Sequence, residues 1–420
     1  MASVANGPHS DAAADEAAVA VKGDVTDKAV TNGVKRGRAG EEEAGEEEAA
    51  PQAGAVVGGV GKRISPRFIL NDPSTEVFSV RFSPDDSLVA ASLGNGHIKV
   101  YSTATGELTS LLTTPTPGET GTALPGGRLV RLNSGIAVPA GPGTPITNIR
   151  WRPDTSAAAV RNVLVSVDVE GRIIHWHATK GADKKLHELR EEDNQLYCID
   201  FSTDGLMFAT GGRQRYITVY DETTKDVSVM LRGTESSMHP GHSNRVFSIR
   251  FHPTEPIVVS GGWDHTVQLW DMRTGHAEHS LYGPFVCGDA VDLSADGTTI
   301  LTGSWRSEKQ LQLWDLRTRK LLEDIEWHSP ASLTDQCLIY AAEFSKDTGS
   351  SLIAAGGSGA NEAKIFDRES GNACIGTITG LSKGCYSVDF SCGPSVKGAA
   401  GMVAVAGGDG SLRLINIHKT

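Results

Sequence analysis

The sequence lacks the segments that mark secreted and membrane proteins. It has no apolar run long enough to span a bilayer, no basic-then-apolar leader and no Asn-x-Ser/Thr glycosylation site. Its six cysteines include no Cys-x-x-Cys pair, so we expect buried, reduced thiols. We therefore predict a soluble protein without membrane insertion. The expected location is the cytoplasm, with the nucleus or the cilium as alternatives.

Positive charge and helical periodicity are also scarce. The chain of 420 residues carries 39 Lys and Arg against 51 Asp and Glu, a formal net charge of −12. Nucleic-acid-binding domains usually present a basic face, so no nucleic-acid partner is expected. The 48 glycines are typical of a turn-rich protein, and no long stretch shows a helical period. We predict that the folded part is all-β.

The first 62 residues differ from the rest. They are rich in Ala, Gly and Glu, contain no aromatic residue and include the acidic run "EEEAGEEEAA". Such a segment buries too little apolar surface to offset its ordering entropy, so we predict a disordered tail over 1–62 and one folded domain over 63–420. Within the tail, "KRGR" at 35–38 is either half of a nuclear-import signal or a solvated charge cluster.

From residue 64 onward the sequence repeats. "VFSVRFSPDDSLVAASLGNGHIKVY" at 77–101 is echoed by "VFSIRFHPTEPIVVSGGWDHTVQLWD" at 246–271, and seven such units can be aligned. They end at Tyr101, Trp176, Tyr220, Trp270, Trp314, Phe366 and Ile415. Most spacings are 44 to 52 residues, close to the ~40–45 of a four-stranded propeller blade. The exception holds an insertion at 113–143 that is dense in Pro, Gly and Thr and predicts a long loop.

These units resemble the WD-repeat (WD40) family. The residues that carry the resemblance are Gly241-His242 at the start of one unit, the turn Asp264, and the closing pairs Trp270-Asp271 and Trp314-Asp315. The resemblance implies a single seven-bladed β-propeller with sheets packed around a central channel. The seventh unit ends without an outer strand, so we predict that "RFIL" at 67–70 closes the ring by pairing with 412–417 and removes an open sheet edge.

The resemblance also explains why Ser, His and Asp lie close together at 242–264. In the family, such residues form one buried hydrogen-bonded chain inside a blade, here His242, Ser260, Asp264 and Trp270. A hydrolase would instead need a solvent-accessible nucleophile beside an oxyanion site. We predict no catalytic residue, no cofactor and no enzymatic activity. Other blades carry Asn95, Glu170 and Gln214 at the turn, and the seventh keeps Asp409 without a closing Trp, so these blades must use partial networks.

A metal site has little support in the sequence. His175 and His177 alternate on a predicted strand and point the same way, but no third ligand is evident. A solvated strand face explains them better, and we predict no metal.

The fold leaves three function classes open. The leading one is a non-enzymatic interaction scaffold that presents a peptide or subunit platform within a larger complex. The second is a substrate receptor of a cullin-type ubiquitin ligase, because such receptors resemble this chain in carrying Trp-Asp-x-Arg in adjacent blades. Here that motif would place Arg273 and Arg317 at the adaptor surface. The third is a structural subunit of a ciliary or chromatin assembly.

The residue pattern also predicts where a partner binds. Alignment on "VFSIRF" places one residue of each innermost strand at the channel mouth: Phe78, Thr147, Tyr197, Phe247, Asp289, Tyr340 and Tyr386. Arg213, Trp263 and Arg306 lie beside the turns of the same face, which the insertion and the loops at 236–239 and 327–334 also reach. We predict an aromatic pocket rimmed by arginines that takes an acidic or phosphorylated peptide. The alternative is that the rings turn into the blades and pack against their neighbours.

Overall fold

Strands account for nearly all regular structure in the part of the chain that the computed structural model describes. This part comprises residues 63–114, 129–131, 137–139, 143–154, 160–179, 184–234, 241–327, 336–393 and 399–418. The predicted tail, most of the insertion, and most of the loops at 236–239 and 327–334 lie outside it. Within the described ranges the only helical element is a 3-10 turn, Arg368–Ser370, and no helix there could cross a membrane.

The strands group into four-stranded antiparallel sheets. The first strand in the chain is β1 (Ile64–Asn71). Blade 1 follows, with β2 (Val77–Phe82), β3 (Leu88–Leu93), β4 (His97–Ser102) and β5 (Leu108–Thr113). After blade 1 comes a two-stranded hairpin of β6 (Leu129–Arg131) and β7 (Ala137–Pro139). Next come blade 2 with β8 (Ile146–Trp151), β9 (Val163–Asp168), β10 (Arg172–His177) and β11 (Lys185–Arg190), and blade 3 with β12 (Leu196–Phe201), β13 (Met207–Gly212), β14 (Ile217–Asp221) and β15 (Val227–Leu231).

The remaining four blades follow the same order, from the innermost strand outward. Blade 4 has β16 (Val246–Phe251), β17 (Ile257–Gly262), β18 (Thr266–Asp271) and β19 (His276–Tyr282), and blade 5 has β20 (Val291–Leu293), β21 (Thr299–Gly303), β22 (Leu311–Asp315) and β23 (Leu321–Ile325). Blade 6 has β24 (Cys337–Phe344), β25 (Leu352–Gly359), β26 (Ala363–Asp367) and β27 (Ala373–Ile378), and blade 7 has β28 (Cys385–Phe390), β29 (Ala399–Gly407) and β30 (Ser411–His418).

The described residues form six apolar core clusters that together fill every junction between neighbouring blades, one of them extending over blades 4, 5 and 6. A typical cluster joins Leu88 and Val100 of blade 1 to Ile146 and Ile149 of blade 2. Because both faces of each sheet are covered by a neighbouring sheet, second strands such as β3 and β9 are buried at every residue. These strands therefore read as continuous apolar runs, whereas the outermost strand β11 is mostly exposed. The predicted seven-bladed, all-β propeller is confirmed.

The ring closes where the sequence predicted. β1 pairs antiparallel with β30 from Ile64↔Ile417 to Asn71↔Ser411 and supplies the fourth strand of blade 7. The side chain of Ile64 enters the apolar cluster between blades 6 and 7, and Arg63 pairs with Asp367 of blade 6. Closure thus joins both ends of the described chain to the same sheet and covers the edge that β30 would otherwise expose.

The cysteines match the expectation of buried thiols only in part, since two are exposed and Cys287 is half-buried. All six are free, and Cys198, Cys337 and Cys385 are buried as predicted. Cys374 and Cys392 are exposed, because they lie on the outermost strand of blade 6 and in the turn that follows β28. The prediction of buried thiols is wrong for this pair.

Closure by β1 can be tested with two truncations. Removing residues 1–62 is expected to leave the melting temperature nearly unchanged, because this segment offers little apolar surface. Removing residues 1–71 also deletes β1, exposes the edge of β30 and is expected to lower the melting temperature by roughly 5 °C or more. Differential scanning calorimetry of both proteins measures the difference, and equal melting temperatures would show that β1 does not hold the ring closed.

Candidate protein-interaction site

The two faces of the propeller are built from different turns. The turns between the second and third strands of each blade, and the loops that lead into the innermost strands, form what we call the upper face. The turns between the first and second strands, and between the third and fourth, form the lower face. The predicted partner residues lie on the upper face, at the start of the innermost strands, and the Trp-Asp-x-Arg arginines lie on the lower face.

A β-bulge aims the predicted mouth residues at the channel. In blade 4 the register passes from Val246↔Gly262 to Ser248↔Gly261, so Phe247 has no partner in the ladder. Because an unpaired bulge residue bends its strand and redirects its side chain, Phe247 turns toward the upper mouth. The same shift singles out one residue in each of five other blades: Phe78, Thr147, Tyr197, Tyr340 and Tyr386.

Glycine makes this bulge fit. Gly262 lies opposite the bulge, and a Cβ atom there would collide with the backbone oxygen of Arg245. Gly212 stands in the same relation to the backbone oxygen of Gln195 in blade 3. The small residues that end the second strands in the sequence are therefore needed for close backbone approach.

The rings form a continuous arc over the channel mouth. Successive ring centroids are 4.8 Å apart for Tyr197–Phe247, 5.1 Å for Phe247–Trp263, and 6.3 Å for Trp263–Phe285. The series continues at 6.4 Å to Trp305, 6.5 Å to Tyr340, 5.4 Å to Tyr386 and 6.1 Å to Phe78. We call these eight half-buried residues the aromatic arc. The rings contact one another, as the alternative interpretation expected, yet each keeps part of its surface exposed.

The sequence analysis did not identify two members of the arc, Trp305 and Phe285. Trp305 follows "TGS" as Trp263 follows "SGG", so the alignment of second strands held a signal for it. Phe285 lies in the loop between blades 4 and 5, where no repeat position predicts it. The arc is interrupted at blade 2, where the Thr147 hydroxyl instead donates a hydrogen bond to the backbone oxygen of Leu196 at 2.7 Å.

Two arginines supply positive charge to one end of the arc. Arg213 is exposed beside Tyr197, and the guanidinium of Arg245 lies 5.2 Å from the ring centroid of Trp263. Burial raises the pKa of the Tyr197 phenol, and the charges of Arg245 and Arg213 partly oppose that rise. The end of the arc over blades 3 and 4 therefore combines large apolar faces with guanidinium groups.

Arg306 lies in the turn between β21 and β22 of blade 5, as predicted, but its guanidinium is held by that turn. Its guanidinium donates to the backbone oxygens of Gly283 at 2.9 Å and Lys309 at 2.6 Å, and to the Gln312 side chain at 2.6 Å. These bonds stabilise the turn of blade 5. A side chain whose donors are occupied in this way holds its own turn together and is not available to a ligand.

The structure corrects the predicted position of Asp289. β20 begins only at Val291, so blade 5 has no bulge that would aim residue 289 at the mouth. The carboxylate instead lies inside the channel, with its side chain 8% exposed, where it contacts three arginines. Arg150 Nη2 lies 2.5 Å and Arg250 Nη1 2.8 Å away, and Arg81 completes the set. Because these groups come from blades 1, 2, 4 and 5, they form a bridge across the channel.

The bridge belongs to a ring of charges that the sequence analysis missed. The same position of every innermost strand is charged: Arg81, Arg150, Asp200, Arg250, Asp292, Glu343 and Asp389. Three of the carboxylates also accept the backbone N–H of the next blade, from Phe251 to Asp200 at 3.0 Å, Phe344 to Asp292 at 2.8 Å, and Phe82 to Asp389 at 2.6 Å. The signal was present in the "R" and "D" of the aligned strands.

The predicted hydrogen-bonded chain is present in blade 4. His242 Nδ1 lies 2.7 Å from Asp264, its Nε2 lies 2.7 Å from the Ser260 hydroxyl, and the Trp270 indole donates to the same hydroxyl at 2.8 Å. Burial raises the pKa of Asp264, but hydrogen bonds led by that from His242 outweigh it, and the net pKa is lowered. With its side chains buried, this triad-like set holds the blade together.

Other blades use shorter versions of this chain. In blade 5 the Trp314 indole donates to Thr302 at 3.0 Å, and in blade 2 the Trp176 indole donates to Ser166 at 2.8 Å. In blade 3 the Tyr220 hydroxyl donates to Glu191 at 3.0 Å. The turn residues of these blades form hydrogen bonds with nearby turn or loop groups. The side-chain oxygen of Asn95 accepts from His97 N, and Glu170 accepts from the Thr144 hydroxyl. The backbone N–H of Gln214 donates to the Asn194 side chain, and Asp409 accepts from Ser411 N.

Both lower-face arginines are exposed, and one of them is bound to a carboxylate of its own blade. The Arg273 side chain is 74% exposed, but its guanidinium forms a two-pronged contact with Asp271 of its own blade, at 3.1 and 3.0 Å. Arg317 is exposed. Adaptor binding by this pair stays a prediction.

No metal centre is assembled by the described residues, which contain no group of three His, Cys, Asp or Glu side chains that could hold one. His175 is buried and hydrogen-bonded to Glu222 at 3.1 Å. His177 is half-buried at the end of β10.

The repeats match a known family. The model of the family described as "WD domain, G-beta repeat" matches residues 64–102, 183–221 and 233–271. The structure shows that these segments belong to a propeller of seven four-stranded blades. The chain is a WD-repeat protein. The matches fall on blades 1, 3 and 4 together with the chain that leads into them, and blade 4 also carries the complete hydrogen-bonded chain.

Similar proteins share only part of this WD-repeat chain. Autophagy-related protein 16 of Arabidopsis thaliana is 27% identical over 43% of the chain and 32% of its own length. A coronin-like protein of Schizosaccharomyces pombe is 32% identical over 27% of the chain and 19% of its own length. The guanine nucleotide-binding protein subunit beta of Oryza sativa subsp. japonica is 24% identical over 41% of the chain and 44% of its own length. The chain thus spans less than half the length of each of these relatives.

The hydrogen-bonded chain of blade 4 is expected to control stability. His242→Ala and Asp264→Ala each leave buried partners without a hydrogen bond, which costs roughly 1–3 kcal/mol of the free energy of unfolding. The double variant is expected to lose less than the sum of the two, because both residues serve one network. Guanidinium chloride unfolding measures all three, with Glu278→Ala on the exposed outer strand as a near-neutral control. Strict additivity would contradict a shared network.

Glu343 in the channel ring is expected to make stability depend on pH. Burial and the nearby Asp389 raise its pKa to about 8 from an ordinary value of 4.5. The folded state therefore keeps a proton that the unfolded state loses, so stability falls as pH rises from about 5 to 8, by up to about 1.4 kcal/mol per unit. Glu343→Gln removes this contribution, and its stability relative to wild type should rise over that interval. An unchanged difference between pH 5 and pH 8 would contradict it.

Proposed function

We propose that this chain is a non-enzymatic protein-interaction scaffold, working as a subunit of a larger complex, whose upper face captures an acidic or phosphorylated peptide segment. The observation that carries the proposal is the aromatic arc with Arg213 and Arg245 at one end. The WD-repeat fold supports it, because a propeller presents a rigid platform whose loops vary independently of the core.

The arc has the properties of an interaction hot spot. Aromatic and arginine side chains dominate measured binding energies because they bury much area at modest entropic cost. Here the rings already hold one another, as the centroid distance of 4.8 Å between Tyr197 and Phe247 shows. A partner therefore meets a surface whose side chains need little further ordering, which favours affinity.

The charge at the arc favours an anionic partner. Arg213 is exposed, and Arg245 stacks on Trp263 without losing its charge. A guanidinium binds carboxylate or phosphate groups through two parallel hydrogen bonds, so acidic or phosphorylated side chains fit this end. The remaining rings, from Phe285 to Phe78, would pack against apolar residues of the same segment.

The proposal is tested with defined peptides. A synthetic array of acidic, phosphorylated and neutral peptides of matched hydropathy is probed with the labelled protein, and the strongest binder is measured by fluorescence polarisation. Phe247→Ala with Arg213→Ala is expected to weaken binding by roughly 30-fold or more, since two hot-spot contacts are removed. The circular dichroism spectrum should stay that of the wild type.

The matched control is Arg273→Ala with Arg317→Ala on the lower face, which should leave peptide affinity unchanged. Two outcomes would overturn the proposal: neutral peptides binding as well as acidic and phosphorylated ones, or loss of binding in the lower-face variant alone. The second outcome would instead favour the ligase-receptor alternative.

A further inference from the structure

The lower end of the channel holds a cavity that the upper-face proposal does not use. Its volume is about 480 Å³, within the range of roughly 300–1,000 Å³ typical of small-ligand sites. Apolar side chains from six blades line its wall: Phe82, Trp151, Phe201, Phe251, Leu293 and Phe344. Its floor is the charged ring. A narrow apolar wall above a charged floor suits a ligand with an apolar stem and a charged end.

The charges of the floor do not balance. Among the described residues, the cations of the ring and the bridge are Arg81, Arg150 and Arg250, and Lys346 adds a fourth through its contact with Asp389. The carboxyl groups are Asp200, Asp289, Asp292, Glu343 and Asp389. Full ionisation would therefore leave one negative charge without a counter-ion. In a water-poor interior such a charge is costly.

Glu343 is the group that remains without a counter-ion of its own. Asp200, Asp289, Asp292 and Asp389 each have an arginine or lysine nitrogen within 3.4 Å. Glu343 is 8% exposed and lines the cavity, and its Oε2 accepts no hydrogen bond from the described residues. The nearest cations are Arg81 Nη1 at 3.5 Å and Lys346 Nζ at 3.9 Å, and both make closer contacts with other acids.

The protein itself shows how an ammonium group enters this floor. Lys346 belongs to the turn after β24, at the rim of the cavity, and its ammonium lies 2.8 Å from the Asp389 carboxylate. Four methylene groups thus carry a cation from the lower rim to the ring. The carboxyl group of Glu343, on the same cavity wall, has no ammonium this close: Lys346 Nζ lies 3.9 Å from it.

We propose that the lower cavity binds an alkylammonium group, either a lysine side chain of a partner or a free primary amine, with the Glu343 carboxylate as its counter-ion. The apolar wall holds the stem, and the ammonium forms an ion pair with Glu343. Because the unbound carboxyl group is protonated at neutral pH, binding converts a carboxylic acid and an ammonium ion into an ion pair and releases one proton to solvent.

The charged groups that face Glu343 determine how binding depends on pH. Burial and Asp389 of β28 oppose its ionisation, Arg81 of β2 and Lys346 of its own blade favour it, and Asp292 of β20 again opposes it. Their combined effect raises the pKa to about 8. Ammonium affinity should therefore rise with pH, by up to about tenfold per unit between 6 and 8, and become constant above 8.

Isothermal titration calorimetry with butylammonium tests the site in the full-length protein. Titrations at pH 6.5 in buffers of different ionisation enthalpy are expected to show release of about one proton per ligand bound. n-Butanol, which has the stem without the charge, should bind at least about tenfold more weakly at pH 8.5. Capped lysine, N-acetyl-lysine-methylamide, separates the two sources: its binding supports a lysine side chain, and binding of butylammonium alone supports a free amine.

Glu343→Gln keeps the shape and the neutral charge of the protonated acid, so it should fold. It is expected to lose proton release, the pH dependence and about tenfold in affinity at pH 8.5, whereas Glu323→Gln on the outer strand of blade 5 should match wild type. The proposal is overturned if neither amine binds at millimolar concentration at pH 8.5. It is equally overturned if Glu343→Gln binds as wild type does, or if butylammonium binds without proton release. None of these results depends on the aromatic arc.

Discussion

Most of the charged groups that line the channel are paired with one another between blades. Each innermost strand places a charged residue at the same depth, and the chain alternates the sign enough for neighbours to meet: Arg150 reaches Asp200, and Arg250 reaches Asp292. A buried ion pair is by itself weak support for stability, because desolvation offsets much of the attraction. Here the carboxylates also accept backbone N–H groups of the following blade, so the same atoms fix the angular position of each sheet. The ring therefore specifies how the blades meet more than it adds to their stability.

This constraint separates the two ends of the molecule. The bridge of Asp289 with Arg81, Arg150 and Arg250 crosses the channel. Above it the bulged residues present aromatic rings, and below it the cavity presents a charged floor within apolar walls. A ligand at one end does not need the space at the other. The two proposed sites can therefore be altered independently, and the tests at Phe247 and Glu343 report on different faces.

The sequence predicted the fold well because repetition multiplies weak signals. No single unit identifies the fold, but seven aligned copies at a spacing typical of four-stranded blades do, and the missing outer strand of the last copy identified β1 as its replacement. The site was harder to predict because each copy was treated as equivalent. Asp289 occupies the aligned mouth position, but blade 5 has no bulge there, and the carboxylate instead contacts three arginines inside the channel. The contacts of Arg306 could not be predicted either, since its partners include turn carbonyls whose directions no alignment shows.

The bulges of the innermost strands connect the fold to the proposed binding surface. A residue that the ladder leaves unpaired bends its strand and redirects its side chain, so each bulge can present a side chain at the upper mouth. In this chain five of the six bulge positions carry an aromatic ring, and the sixth, Thr147, bonds to the backbone of blade 3. Between blades 4 and 5 the contacts of the arc are made by rings outside the bulges, namely Trp263, Phe285 and Trp305. Because those three lie in different turns and loops, the arc requires the blades to keep the spacing that the channel charges impose. The electrostatic pairing at the centre therefore determines the geometry of the surface above it.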